Sequence, residues 1–230
     1  MKKTIQIAVL SLYILACNAQ SQPAVTPADF EKGIQSDKIQ VLDVRTAGEF
    51  KSGHIAKALQ ADWNNPQQFQ DRTQHLDKAK PIYIYCLSGG RSSAAAAWLR
   101  EKGYTVTELR GGINAWKAAA KPLEGGGSSK PQMTKEEYNT SVNSHKVVLV
   151  DFGAEWCPPC KKMEPVLESL VREKTDLFKL VKVDGGNDLN LMKLQNVEAL
   201  PVFIIYKDGK EIWRKQGIVS KEELLTQLSK

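Results

Sequence analysis

The sequence predicts an α/β protein built as two domains in tandem. Short runs of β-branched and aromatic residues alternate with helical stretches, which is the pattern of a parallel sheet covered by helices. Near the middle, Lys121-Pro122-Leu123-Glu124-Gly125-Gly126-Gly127-Ser128-Ser129-Lys130-Pro131 breaks that alternation with residues that bury no apolar surface. The 230 residues suffice for one or two cores, and the two halves share no internal repeat.

The chain opens with basic Met1-Lys2-Lys3-Thr4-Ile5-Gln6 and a short apolar run from Ile7 to Ala16, which fits a secretory signal. Polar Asn18-Ala19-Gln20-Ser21 follows too soon for a membrane span, which takes about 20 apolar residues. Ile14-Leu15-Ala16-Cys17 resembles the lipobox of bacterial lipoproteins, with Leu15 less usual at its place than a small residue. The resemblance implies lipidation at Cys17 and a membrane-anchored protein of the periplasm or cell envelope. Plain cleavage after Ala19 is the alternative.

In the first half, Thr26-Pro27-Ala28-Asp29 starts a helix, with Thr as cap, Pro in the first turn and an acid near the positive end. Ile39 to Val44 and Pro81 to Tyr85 read as buried strands. Between them Ala47-Gly48-Glu49-Phe50 begins a short helix that ends near Ser52-Gly53-His54-Ile55. Ser92 to Leu99 is strongly helical. Tyr104 to Leu109 returns as a strand, and Gly111-Gly112-Ile113-Asn114-Ala115-Trp116 leads into a last helix.

The second half opens with a polar helix around Thr134 to Tyr138. Val147 to Phe152 is a central strand that runs into Trp156-Cys157-Pro158-Pro159-Cys160. The next helix lines up Met163, Val166, Leu167, Leu170 and Val171, with Pro165 expected to kink it. Leu180 to Asp184 is a strand, and Val202 to Tyr206 and Glu211 to Arg214 flank the hairpin turn Lys207-Asp208-Gly209-Lys210. Ser220-Lys221-Glu222-Glu223 reads as a capping box before the final helix.

Composition narrows the chemistry. The formal charge of +6 falls to +4 once Lys2 and Lys3 leave with the signal, and no Lys/Arg stripe suggests nucleic acid. His54, His75 and His145 are scattered, so no zinc-ligand spacing appears and no metal or cofactor is expected. Four cysteines are too few for a disulfide framework, yet outside the cytosol a disulfide persists.

Cys86 ends a predicted buried strand and opens Cys86-Leu87-Ser88-Gly89-Gly90-Arg91 ahead of a helix. Successive N–H groups of such a loop can converge on sulfur, and the helix N-terminus adds positive potential. Both stabilise a thiolate or a persulfide anion. Gly89 and Gly90 are expected to supply the positive φ angles and close approach, and Arg91 to bind an oxyanion or brace the loop. A buried inert thiol is the bland alternative.

Together Leu42-Asp43-Val44-Arg45, Glu49-Phe50 with Gly53-His54-Ile55, Cys86 through Arg91, and Gly111-Gly112 with Trp116 resemble the rhodanese sulfurtransferase family, over a domain placed at 18–120. The resemblance implies that Cys86 accepts a sulfane sulfur and passes it on, with Leu87, Ser88, Gly89 and Gly90 around the bound group. Related phosphatases have a longer loop; four residues between Cys86 and Arg91 give the sulfurtransferase length. Asp43, Arg45 and His54 read as scaffold.

Cys157 and Cys160 sit on a strand-to-helix turn, which exposes the first sulfur at a helix N-terminus and shields the second. Val150-Asp151-Phe152, Ala154-Glu155-Trp156-Cys157, Cys160-Lys161 and Ala199-Leu200-Pro201-Val202 resemble thioredoxin, over a domain placed at 132–230 after a linker at 121–131. The resemblance implies that Cys157 attacks, that Cys160 resolves to a Cys157–Cys160 disulfide, and that Asp151 moves the proton of Cys160. Pro201 would be cis, with Leu200 on the substrate face and Trp156 either a substrate-face aromatic or plain packing. Two departures stand out: Pro158-Pro159 replaces Gly-Pro, and the strand lysine near the buried acid is expected to give way in register to Leu180.

The expectation is an exported thiol-disulfide oxidoreductase fused to a persulfide-forming sulfurtransferase, acting on protein thiols or disulfides and a sulfane-sulfur donor and fed by an upstream electron donor. The alternative is an oxidoreductase whose first domain only docks a partner.

Overall fold

The computed structural model describes residues 23–126 and 130–230; Cys17 and the signal-like N-terminus lie outside them. The first domain runs α1 (Pro27–Gly33), β1 (Gln40–Asp43), α2 (Ala47–Lys51), β2 (Ala58–Gln60), α3 (Pro66–Thr73), β3 (Ile82–Tyr85), α4 (Gly90–Glu101), β4 (Val106–Glu108) and α5 (Gly112–Ala118). Its sheet has the order β2-β1-β3-β4 with every pairing parallel.

Strand alternation sends Leu42, Ile82 and Ile84 to one face, against Phe69 and Leu99, and Val41 and Tyr85 to the other, against Phe30, Ile113 and Trp116. Both faces are therefore buried, as a parallel sheet requires. Thr26 caps α1, its Oγ1 accepting from the Asp29 N–H at 3.2 Å, and Thr46 with Glu49 forms a reciprocal capping box on α2. β2 and α3 were not among the expected elements.

The segment expected as linker is tied down over its first part. Glu124 exchanges two backbone hydrogen bonds of 2.8 Å with His54, and the Gly126 N–H donates to Lys51 O at 3.2 Å. Lys121 to Gly126 therefore belongs with the first domain, because paired backbone groups hold it to the end of α2.

The second domain runs α6 (Lys135–Val142), β5 (Val147–Gly153), α7 (Pro158–Glu173), β6 (Lys179–Asp184), α8 (Leu189–Leu194), β7 (Val202–Lys207), β8 (Lys210–Gln216) and α9 (Lys221–Leu228). Its sheet order is β6-β5-β7-β8; β6 runs parallel to β5, and β7 and β8 are antiparallel to their neighbours. Val148, Val150 and Phe152 bury one face with Tyr138, and Leu149 packs with Met163, Leu167 and Leu170 of α7 and Leu224 of α9 on the other.

Three expectations change here. Val171 is 38% exposed, because the buried line of α7 follows Met163, Leu167 and Leu170 and leaves Val171 on its flank. Ser220 does cap α9, but Glu223 turns its carboxylate to Lys215 Nζ at 2.6 and 2.7 Å and so does not close a capping box. In the β5–β6 ladder Leu180 faces Leu149, and it is Lys182 that lies opposite Asp151. The acid–lysine pair is thus kept, set by a register in which Val148 meets Lys179.

Candidate functional site

Cys86 follows β3 directly and is 1% exposed, while Leu87 on the loop is 41% exposed. Its Sγ accepts from the Gly89 N–H at 3.1 Å and from the Ser92 hydroxyl at 3.4 Å. Burial pushes the thiol up, but the Ser92 hydroxyl and the N–H groups of Ser92, Gly89 and Ser88 outweigh it and leave its pKa below the ordinary value. A sulfur surrounded by donors is built to carry negative charge.

Two glycines make that geometry possible, and one is not the expected one. Gly89 sits at φ +116°, open to a residue without Cβ, whereas Gly90 has ordinary backbone and free space. The second requirement is at Gly112, φ +60°, where a Cβ would lie 2.5 Å from Cys86 O. From there the Ile113 N–H donates to Cys86 O at 2.9 Å and the Asn114 N–H to Leu87 O at 3.1 Å. The loop carbonyls are held by the start of α5, and its N–H groups are left for the sulfur.

Arg91 takes the bracing role. Its two terminal nitrogens donate to Glu49 Oε2 and Oε1 at 2.9 and 2.7 Å, which holds the Glu49 carboxyl down at about 2. Asp43 and Arg45 form a buried ion pair at 2.6 Å, and Arg45 also donates to Gly53 O at 2.8 Å. His54 stacks on Phe50 at 3.8 Å between ring centres, with Nδ1 3.0 Å from Phe50 O. These groups shape the loop between β1 and β2.

Cys157 is the N-cap residue of α7, Pro158 occupies the first turn, and Cys157 is disulfide-bonded to Cys160 with Cα atoms 5.2 Å apart. Pro is well placed there, since the N–H it lacks has no intrahelical partner. Leu200-Pro201 is a cis peptide, and both residues are buried in the same domain. Burial raises the carboxyl of Asp151 to about 6, with Lys182 opposing the rise and Glu164 adding to it.

The redox turn touches the first domain. The Gln60 N–H, at the end of β2, donates to Trp156 O at 2.9 Å. The Arg72 guanidinium lies 4.9 Å from the Trp156 ring centre, and the Phe50 ring 5.9 Å away. Gln60 and Tyr85 both pair with Asp43, so the strand end that receives Trp156 lies two strand spacings, about 10 Å, from the end that carries Cys86. Both sulfur sites therefore share one edge of the first sheet.

A thioredoxin family model matches residues 129–230 and a rhodanese-like domain model residues 26–119. A thioredoxin from Mycolicibacterium smegmatis is 39% identical over 105 residues, covering 44% of this chain and 94% of that protein. The chain belongs to the thioredoxin family. A thioredoxin from Chlamydia trachomatis serovar D is 38% identical over 98 residues, 43% of this chain and 94% of its own length. A rhodanese-related protein from Thermoplasma volcanium aligns with 44% of this chain and 97% of its own, at 26% identity and TM-score 0.40. The molecule thus joins a rhodanese-like domain to a thioredoxin domain that carries a disulfide-capable cysteine pair.

Sequence reasoning missed Ser92, Gln60 and Arg72, and gave Gly112 only as part of a motif. Ser92 had a signal, a hydroxyl in the first turn of the helix that follows the cysteine loop. Gln60 and Arg72 had none, because a three-residue strand and a polar helix carry no periodicity to place them.

Proposed function

We propose that this chain is an exported, lipid-anchored thiol-disulfide oxidoreductase with a fused, persulfide-forming sulfurtransferase domain. The observation that carries the reading is that each domain keeps a cysteine where a thiolate is stabilised, although Cys157, expected to be exposed, is fully buried. Cys157 and Cys160 stand at the start of α7 in the same domain as a cis proline, and Cys86 sits in a nest of hydrogen-bond donors. Export and the anchor rest on residues 1–17 alone. Loss of membrane association in Cys17→Ala tests them, and a lipid-free mature protein starting at Gln20 overturns the anchor.

With thiosulfate as sulfane donor, the Cys86 thiolate would attack the outer sulfur, the S–S bond of thiosulfate would break with sulfite leaving, and Cys86 would be left as the persulfide Sγ–S⁻. The thiolate of Cys157 can attack the outer sulfur, which forms a persulfide on Cys157 and returns Cys86 to thiolate. Attack by the Cys160 thiolate on Cys157 Sγ then releases hydrosulfide and closes the disulfide. The dithiol is oxidised by two electrons and the sulfane sulfur reduced by two, so an upstream dithiol must regenerate the pair. The shared sheet edge supports this route.

The test is thiocyanate formation from thiosulfate and cyanide by the intact protein. Activity that disappears in Cys86→Ala supports the reading. Absence of activity with any sulfane donor leaves the rhodanese-like domain as a partner-docking module.

A further inference from the structure

The rhodanese-like domain packs against the turn that an outside disulfide has to reach, at Trp156 and along α7. Cys157 is 0% exposed, Pro158 and Pro159 are buried, and α3 of the first domain packs against α7. Thiol-disulfide exchange needs in-line access of a foreign sulfur to the attacking thiolate, and a sulfur without exposed surface offers none.

The contact that holds this arrangement is specific. Arg72 is 8% exposed and makes no carboxylate ion pair among the described residues. A buried cation without a carboxylate needs other compensation. Arg72 obtains it from Gln60, through its carbonyl at 3.1 Å and its side-chain Oε1, and from the Trp156 ring above it. Gln60 in turn gives its N–H to Trp156 O. The Arg72–Gln60 bonds lie within the first domain, whereas the ring over Arg72 and the acceptor of the Gln60 N–H are supplied by Trp156 only while the two domains are together. A cleft of about 770 Å³ between the domains, lined by Phe50, His54, Lys161 and Trp156, opens beside this contact.

We propose that Gln60 and Arg72 of the rhodanese-like domain form a latch on Trp156 that closes the Cys157–Cys160 site to outside disulfides, so that the thioredoxin domain reacts with foreign substrates only after the domains part. The latched state leaves the dithiol beside the sheet edge that carries Cys86, and the unlatched state exposes it to protein disulfides. The inference rests on the dithiol being the redox site proposed above, but its test reads closure and not turnover.

The experiment uses the full chain in two measurements. After reduction and removal of reductant, alkylation of Cys157 by iodoacetamide is followed by peptide mass mapping, which separates it from Cys86 and Cys160. Arg72→Met keeps a buried apolar stem and removes the cation, and it should speed Cys157 alkylation by roughly tenfold or more while Cys86 alkylation stays unchanged. In the wild-type chain the Gln60 amide should exchange with deuterium slowly, because its acceptor is Trp156 O. Equal Cys157 rates in wild type and a folded Arg72→Met overturn the latch. Should Arg72→Met not fold, the wild-type measurement decides alone: protection of the Gln60 amide supports the latch, and exchange at the rate of a free amide overturns it. A protein that is latched yet fails to reduce insulin would separate this inference from the proposed activity.

Discussion

Replacing Asp151 by asparagine should make the thioredoxin domain more stable at neutral pH, in a way that depends on pH. The carboxyl rises from 3.8 to about 6, mainly through burial in β5. Two pK units at about 1.36 kcal/mol each amount to roughly 3 kcal/mol. An acid that holds its proton more tightly when folded stabilises the protein below its unfolded pKa. That stability is lost as pH rises from about 4 through about 6, and the loss is constant above this window. Asp151→Asn abolishes the titration, so the two proteins should match in stability near pH 4. By pH 8 the variant should lead by up to about 3 kcal/mol. Urea unfolding of the oxidised chain at several pH values, with hydrogen exchange at β5 to separate the second domain from the first, measures the gap. A gap that stays constant from pH 4 to 8, or that is absent at pH 8, refutes the reasoning. Disulfide reduction by the same variant should slow near neutral pH, since the base proposed for the Cys160 proton is gone.

Cys157→Ser should abolish insulin reduction with dithiothreitol, and Cys160→Ser should accumulate mixed disulfides visible by mass. Ser92→Ala removes a hydroxyl from Cys86 Sγ, so the thiol pKa should rise and sulfur loading at pH 7 should slow roughly tenfold, recovering at higher pH. Glu49→Gln breaks the ion pair with Arg91 and should destabilise the first domain by roughly 1–2 kcal/mol at pH 7, allowing for partial solvent screening. Because Glu49 titrates near 2 in the fold, that difference should shrink as pH falls from about 4.5 toward 2 in acid unfolding curves. Gly112→Ala puts a Cβ against Cys86 O at an unfavourable φ and should lower first-domain stability by about 2 kcal/mol in thermal melts.

Elements with strong local chemistry were legible in the sequence. Thr26-Pro27, the run from Ser92 to Leu99, the valine-rich β5 and the turn at Asp208-Gly209 declare themselves by cap, propensity, alternation or turn type. β2 did not, since three residues give no period, and α3 contains only Phe69 as a large apolar residue. A cap signal for α3 was present all the same: Asn65 accepts from the Gln68 N–H, and Pro66 opens the helix. The mistake at Leu180 has a different origin. Register in a parallel ladder is a tertiary property, and a slip of two residues leaves the face pattern unchanged. For the sites, the place of Cys86 after a strand and of the Cys157–Cys160 pair at a helix start could be read from loop spacing, but the contacts of Ser92, Gly112 and Arg72 act through space and needed the folded chain.

The backbone around Cys86 has its polarity sorted before any sulfur arrives. Cys86 O and Leu87 O are fixed by the Ile113 and Asn114 amides, so the peptide groups at the start of the loop cannot rotate to face the sulfur with an oxygen. The orientation of its dipoles is therefore settled when the chain folds, and the persulfide chemistry proposed for Cys86 would need little reorganisation of the loop. Loading and discharge should then proceed on an almost unchanged loop. Under the sulfur transfer proposed above, repeated turnover would not require the main chain to move.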